Sequence, residues 1–247
     1  MSIFMVFNTF LYGATGFCAS SEVDYKITTD FLTKYIWRGQ NVSDRPVFQP
    51  TVSMYGYGFT GSFWGNMDLT GQNGHRMKFI ELNYVLDYTT SIPDMNGLTF
   101  SAGFIHYDFP NTEFESTTEV YGGFNFALPL SPYIRLYRDV DETEGTYIQF
   151  GAGHSIEKVF TISEDCYCGL QVSGNIGYAD KRYNDFFFRK DNGGFNDLRL
   201  SLALPVCFKQ WIISPSISYS MMLDKDIRSA TDKSDNLWAG LGLSKSF

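Results

Sequence analysis

The feature that most constrains this chain is a repeating unit of about ten residues in which apolar and polar side chains alternate, followed by a turn. In "LRLSLALPV", Leu198, Leu200, Leu202, Leu204 and Val206 fall on one face, and Asp197, Arg199, Ser201 and Ala203 on the other. A period of two belongs to a strand whose faces meet different surroundings. In "KITTDFLTKYIWRG" the same reading sets Ile27, Phe31, Tyr35 and Trp37 against Lys26, Asp30, Lys34 and Arg38. A face carrying a row of charges cannot be a dry core, because an unpaired buried ion costs too much. In "KFIELNYVLDYTTSI", Ile80, Leu82, Tyr84, Leu86 and Tyr88 oppose Glu81, Asn83 and Asp87. In "TTEVYGGFNFAL", Val120, Phe124, Phe126 and Leu128 oppose Glu119 and Asn125.

The pattern predicts twelve strands, near 25–39, 46–55, 59–70, 77–92, 97–109, 117–128, 132–140, 145–157, 166–180, 195–208, 211–223 and 236–247. Most connections after even-numbered strands are tight, such as "GYG", "PDMN" and "KQ"; the connection at 158–165 reads as a longer exception. Those after odd-numbered strands are polar and often longer, such as "PNTEFES" and "DKDIRSATDKSD". An even count of strands, with turns at one end and loops at the other, implies an all-β, up-and-down antiparallel barrel that spans an outer membrane. Closure is what permits it, since a sheet edge in lipid leaves amides with no partner. A soluble sandwich also alternates. Its core face would not carry this much charge, and aromatics gather at strand ends as an interface girdle does: Tyr35, Trp37, Tyr107 and Tyr178 at one end, Tyr57, Phe59, Tyr88 and Trp211 at the other.

Composition agrees. Aromatics are 17% of the 247 residues and charged residues 19%, against a usual quarter. A net charge of −8 argues against a nucleic-acid partner, which needs a basic surface. The uncharged, largely apolar stretch ending in "CAS" reads as a signal peptide over 1–20, leaving 21–247 as the barrel. The last strand, "NLWAGLGLSKSF", sends Leu237, Ala239, Leu241, Leu243 and Phe247 to lipid and is expected to close on the first. Its terminal Phe247 is similar to the signal read by the barrel-assembly machinery during biogenesis.

"YIWRGQNVSDRPVFQP" resembles the start of the TorF-like family of proteobacterial porins. There, an early strand ends in an aromatic–Arg–Gly step, followed by a Ser-Asp-x-Pro loop and a Gln. Here these are Trp37, Arg38, Gly39, Ser43, Asp44, Pro46 and Gln49. The resemblance implies an outer-membrane barrel of about this length, in the Gram-negative envelope. It supplies no solute.

The expected function is a porin-like channel for passive diffusion of small polar solutes. The expected pore-lining residues are Asp30, Lys34, Arg38, Glu81, Asp87, Glu119, Arg135 and Arg199. Eight strands leave a filled interior and sixteen a channel, so twelve also admits a closed structural or adhesive barrel. A rim hydrolase is the third reading. His75, His106 and His154 form no nucleophile–base–orienter set with their neighbours, so no enzyme, catalytic residue, cofactor or metal site is expected. Expected partners besides solutes are outer-membrane lipid and lipopolysaccharide. In an oxidising compartment a disulfide from Cys207 to Cys166 or Cys168 is open, as are three reduced thiols. The loop "KRYNDFFFRKDNGG" is expected to extend its two strands and contact the rim, with inward folding as the alternative.

Overall fold

A computed structural model describes residues 23–71, 74 and 76–247. The proposed signal peptide and His75 lie outside the described residues. Fifteen strands are present: β1 (Asp24–Leu32), β2 (Tyr35–Trp37), β3 (Gln40–Ser43), β4 (Val47–Gly56), β5 (Phe59–Asp68), β6 (Lys78–Ser91), β7 (Leu98–Asp108), β8 (Thr117–Phe126), β9 (Tyr133–Asp139), β10 (Thr146–Ser163), β11 (Cys166–Ala179), β12 (Gly194–Ala203), β13 (Val206–Phe208), β14 (Trp211–Met222) and β15 (Asp235–Ser246). Two short helices, α1 (Lys181–Phe188) and α2 (Lys225–Ala230), lie in the fifth and sixth long loops.

Twelve strands make the barrel: β1, β4 to β12 and β14 to β15, with β13 continuing β12 beyond Pro205. Neighbours in sequence pair antiparallel, and β15 returns to β1 with Leu243 opposite Thr29 and Leu241 opposite Phe31. The ring is therefore closed, and no barrel strand leaves a bare edge. Every barrel strand offers at least one large apolar side chain to the outside, from Phe31 on β1 through Val52, Phe104, Leu136 and Ile217 to Leu241 on β15. Such a belt is stable only against hydrocarbon, so the chain is a transmembrane barrel of the outer-membrane type. No described helix is long and apolar enough to cross a membrane.

Three boundaries differ from expectation. β1 stops at Leu32 rather than near 39, because the chain leaves the wall there and folds into the lumen as the β2–β3 hairpin. β10 runs to Ser163, so 158–165 is a strand and a tight turn, and the β10–β11 ladder is the longest in the barrel. Residues 181–188 are helical rather than a strand extension: Asp180 caps the helix by accepting from the Tyr183 N–H at 2.9 Å, and Arg189 closes it in the left-handed region.

Candidate functional site

The inner wall is mostly polar, with Val85 and Ile105 as apolar exceptions on β6 and β7, and its two halves are built differently. Toward the long loops the lumen is full. Tyr121, Tyr137 and Tyr147 stand side by side on β8, β9 and β10, with ring centroids 5.5 and 6.3 Å apart. They have room because glycine faces inward nearby. A Cβ on Gly177 would lie 2.1 Å from the Tyr147 hydroxyl oxygen and 2.4 Å from Asp197 Oδ1.

The β2–β3 hairpin drops into this tyrosine layer. Its turn is the two residues Arg38 and Gly39, at φ of 44° and 79°. Paired positive φ values are what a type I′ hairpin turn needs. Gly39 is pressed against β12 and β14, so that a Cβ would come 2.7 Å from both Asp197 Cβ and Met222 Sδ. Arg38 reaches across to Glu119 on β8 and donates two hydrogen bonds, Nη1 to Oε1 and Nη2 to Oε2, both 2.7 Å. Its guanidinium carbon lies 4.2 Å from the Tyr147 ring centre, 4.8 Å from Tyr137 and 4.7 Å from Trp37. Glu119 also accepts from the Tyr107 hydroxyl at 2.8 Å. The pair is thus bidentate, buried and flanked by aromatic faces, the geometry in which Arg outperforms Lys.

The hairpin is fastened in three further places. Tyr35 donates to Glu81 at 3.0 Å and packs on Trp64. Asp44 takes Lys34 at 2.7 Å and also Lys233 from the last loop, and these two amines hold its carboxyl well below the usual carboxylate range. Asn41 donates to Asn236 at 2.7 Å. From above, α1 lays Tyr183 and Phe187 on Trp37, the latter edge-on at 5.3 Å. The loop after β11 therefore folds over the mouth instead of extending its two strands.

Toward the turns the lumen is different. A cavity of about 70 Å³ lies against β1, β11, β12, β14 and β15. Its polar lining is mostly small: Thr28, Ser201, Ser214, Ser216, Ser218 and Ser244, with Asp30, Gln171 and Arg199 as the larger groups. Arg199 Nε donates to Ser201 at 3.3 Å, and the guanidinium lies 4.8 Å over Trp238.

Six of the eight expected pore-lining residues are on the inner wall: Asp30, Glu81, Asp87, Glu119, Arg135 and Arg199. Glu81 accepts from Tyr35 and Asn83, and Asp87 from Tyr121 at 2.7 Å and Thr89 at 2.8 Å. Arg38 and Lys34 are corrections. Arg38 is the tip of the plug, and Lys34 is at its base on the rim, because the strand that was to carry both ends at Leu32. The expected loop-end girdle is corrected with them: Tyr35 and Tyr107 are buried inside and Trp37 packs under α1, whereas Tyr178 faces outward against Phe195 at 5.5 Å. The turn-end girdle of Tyr57, Phe59, Tyr88 and Trp211 is exposed as expected. Sequence reasoning missed Tyr121, Tyr137, Tyr147 and Tyr183; three tyrosines on the charged parity of adjacent strands were the available signal.

The cysteines do not form the disulfide left open above. Cys166, Cys168 and Cys207 are free. The register sets Cys207 opposite Tyr167, so Cys166 and Cys168, one residue to either side, point to the other face of the sheet. His106 is on the outward face and bonds through Nδ1 to Thr118 Oγ1 at 3.0 Å. Among the described residues no group of His, Cys, Asp or Glu has metal-site geometry.

No family model and no curated protein matches the chain in sequence. Solved structures match it in shape. LpxR from Salmonella typhimurium superposes with a TM-score of 0.51 at 9% identity, over 89% of this chain and 99% of that one. An outer-membrane channel from Pseudomonas putida F1 gives a TM-score of 0.51 at 7% identity, over 95% and 98%. At these identities the likeness is one of fold, and the chain is accordingly a closed twelve-stranded barrel of the Gram-negative outer-membrane kind.

Proposed function

We propose that this barrel is a porin-like channel for small polar solutes, closed at its outer mouth by the β2–β3 hairpin and opened when that hairpin leaves the lumen. One observation carries the reading: at the outer mouth a loop, the β2–β3 hairpin, enters the lumen and packs against the wall tyrosines there. A barrel meant to stay shut fills its interior with interlocking wall side chains. Here the wall below the plug leaves a cavity whose polar lining is mostly serine and threonine, with Asp30, Gln171 and Arg199 as the larger groups. The wall is also continuous without the hairpin, since its two ends emerge at Leu32 and Val47, which are paired neighbours in the ladder. The likeness in fold to an outer-membrane channel and the sequence resemblance to the TorF-like porins support the same reading. The reading includes no catalytic step.

Planar-bilayer conductance tests it. Because Leu32 and Val47 already face each other, residues 33–46 can be replaced by an Asn-Gly turn without disturbing the wall. The native barrel should show rare or no steps, and the replacement variant steady, ohmic ones. A folded variant that remains silent would overturn the proposal in favour of a closed structural barrel.

A further inference from the structure

The cavity under the plug has two unlike ends. On the side of β11, β12 and the adjoining β14 stand donors: the Arg199 guanidinium, the Gln171 side-chain amide, and the Ser201 and Ser218 hydroxyls. Gln171 is 5% exposed, yet its Nε2 has no hydrogen-bond partner among the described residues. A buried amide donor left unpaired is costly and calls for an acceptor. On the β1 side stands an acceptor, Asp30, 6% exposed. Three ladder steps separate β1 from β12, through β15 and β14. At ~4.8 Å per step that is an arc of roughly 14 Å, which the inward reach of an Arg and an Asp side chain shortens. The space between, about 70 Å³, is that of roughly two waters at ~30 Å³ each. It excludes oligosaccharides and drug-sized molecules, whose pockets run from about 300 Å³ upward.

We infer that this cavity is a solute-binding site for a short carboxylate that carries a hydrogen-bond donor on the adjacent carbon, an α-amino or α-hydroxy acid of two or three carbons. The carboxylate accepts from Arg199 and Gln171, and the amino or hydroxyl group donates to Asp30. Neutral sugars lack the charge for the first end, and simple amines lack the acceptor. Lys26, four residues before Asp30 on the same inward face, adds positive charge on the turn side, which favours entry of carboxylates from there. The inference names the solute class of the channel proposed above and rests on that reading for its biological sense, but the site can be tested without current flow.

Equilibrium binding to the detergent-solubilised barrel, by calorimetry, is the test, with glycine, glycolate, propionate and ethylamine as probes. Glycine and glycolate should bind, and propionate and ethylamine should bind about tenfold or more weaker, each lacking one end of the match. Arg199→Gln should abolish binding of both acids. Asp30→Asn should weaken glycine by about tenfold while sparing glycolate, because the amide oxygen still accepts from a hydroxyl. Gln171→Leu is the control for folding, since it removes an amide donor with no partner among the described residues; it should leave the thermal midpoint unchanged and lower affinity for both. Equal binding of propionate and glycine, or unchanged affinity in Gln171→Leu together with Arg199→Gln, would overturn the inference. Arg199-dependent glycine binding by a barrel that never conducts would keep this site and remove the channel; conduction without such binding would do the reverse.

Discussion

The loop half and the turn half of this lumen are made by the same twelve strands and follow the same alternation, yet one is packed and the other is open. In the loop half, inward positions carry tyrosine, and an ion pair spans the gap from hairpin to wall. In the turn half, inward positions on β12, β14 and β15 carry serine and glycine. Alternation decides only that a side chain points inward. Its size decides whether the interior is a core or a passage, and a loop can supply a core that the wall lacks.

The largest expected effect comes from exchanging those characters. With residues 33–46 replaced by a turn, a tryptophan at Ser216 should narrow the turn half and return conductance most of the way to silence. The same Ser216→Trp change in the plugged protein should leave its already low conductance unaltered. If tryptophan has no effect in the open variant, the turn half is not the path.

Next comes the ion pair. Glu119→Ala leaves the Arg38 guanidinium buried without its carboxylate, a loss of about 3–5 kcal/mol of hairpin docking. Proteolysis or hydrogen exchange across 33–46 should report release of the hairpin, and bilayer records should show frequent openings, while the barrel's own thermal midpoint should move much less. An unlatched hairpin that stays protected would mean that the aromatic contacts of Trp37 alone hold it. Gly177→Ala should be smaller, roughly 1–3 kcal/mol, because the new methyl pushes into Tyr147 and Asp197 and must displace the tyrosine layer. Its signature is a lower unfolding midpoint with the turn-half binding site intact.

The smallest effect is at the rim. Asp44 is held below its usual pKa by Lys233 and Lys34. A depressed carboxylate contributes its full stabilisation above the ordinary value of about 3.9, and the contribution is lost progressively as pH falls from there through the lowered one. Solvent screening limits it to less than about 1 kcal/mol. Native protein should therefore open slightly more often as pH falls below about 4, whereas Asp44→Asn should show that small increase already at pH 7, and the two should converge in acid.

Much of this was legible in the residues. The period-two rows of Leu198 to Leu204 and Leu82 to Tyr88 place the lipid face, and the turn–loop alternation gives strand number and orientation. Asp30, Glu81 and Arg199 were found by parity alone. What misled was "FLTKYIWRGQNV", where the alternation runs on without a break although the wall ends at Leu32. Nothing local separates a strand that continues from one that turns inward and begins a hairpin of the same period, and Arg-Gly is a weaker turn signal than Asn-Gly. The long β10–β11 ladder was obscured because both faces of 156–163 are exposed, so no alternation marks it.

The sequence by itself therefore determined the barrel: which side of each strand meets hydrocarbon, how many strands there are, and that the ring must close, because these follow from the cost of polar groups in lipid, paid residue by residue. Only the tertiary structure decided where the first loop goes. Tyr35, Trp37 and Arg38 would suit a membrane girdle as well as a lumen, and they are inside because Glu119, Glu81 and the tyrosines, distant in sequence, converge there to receive them.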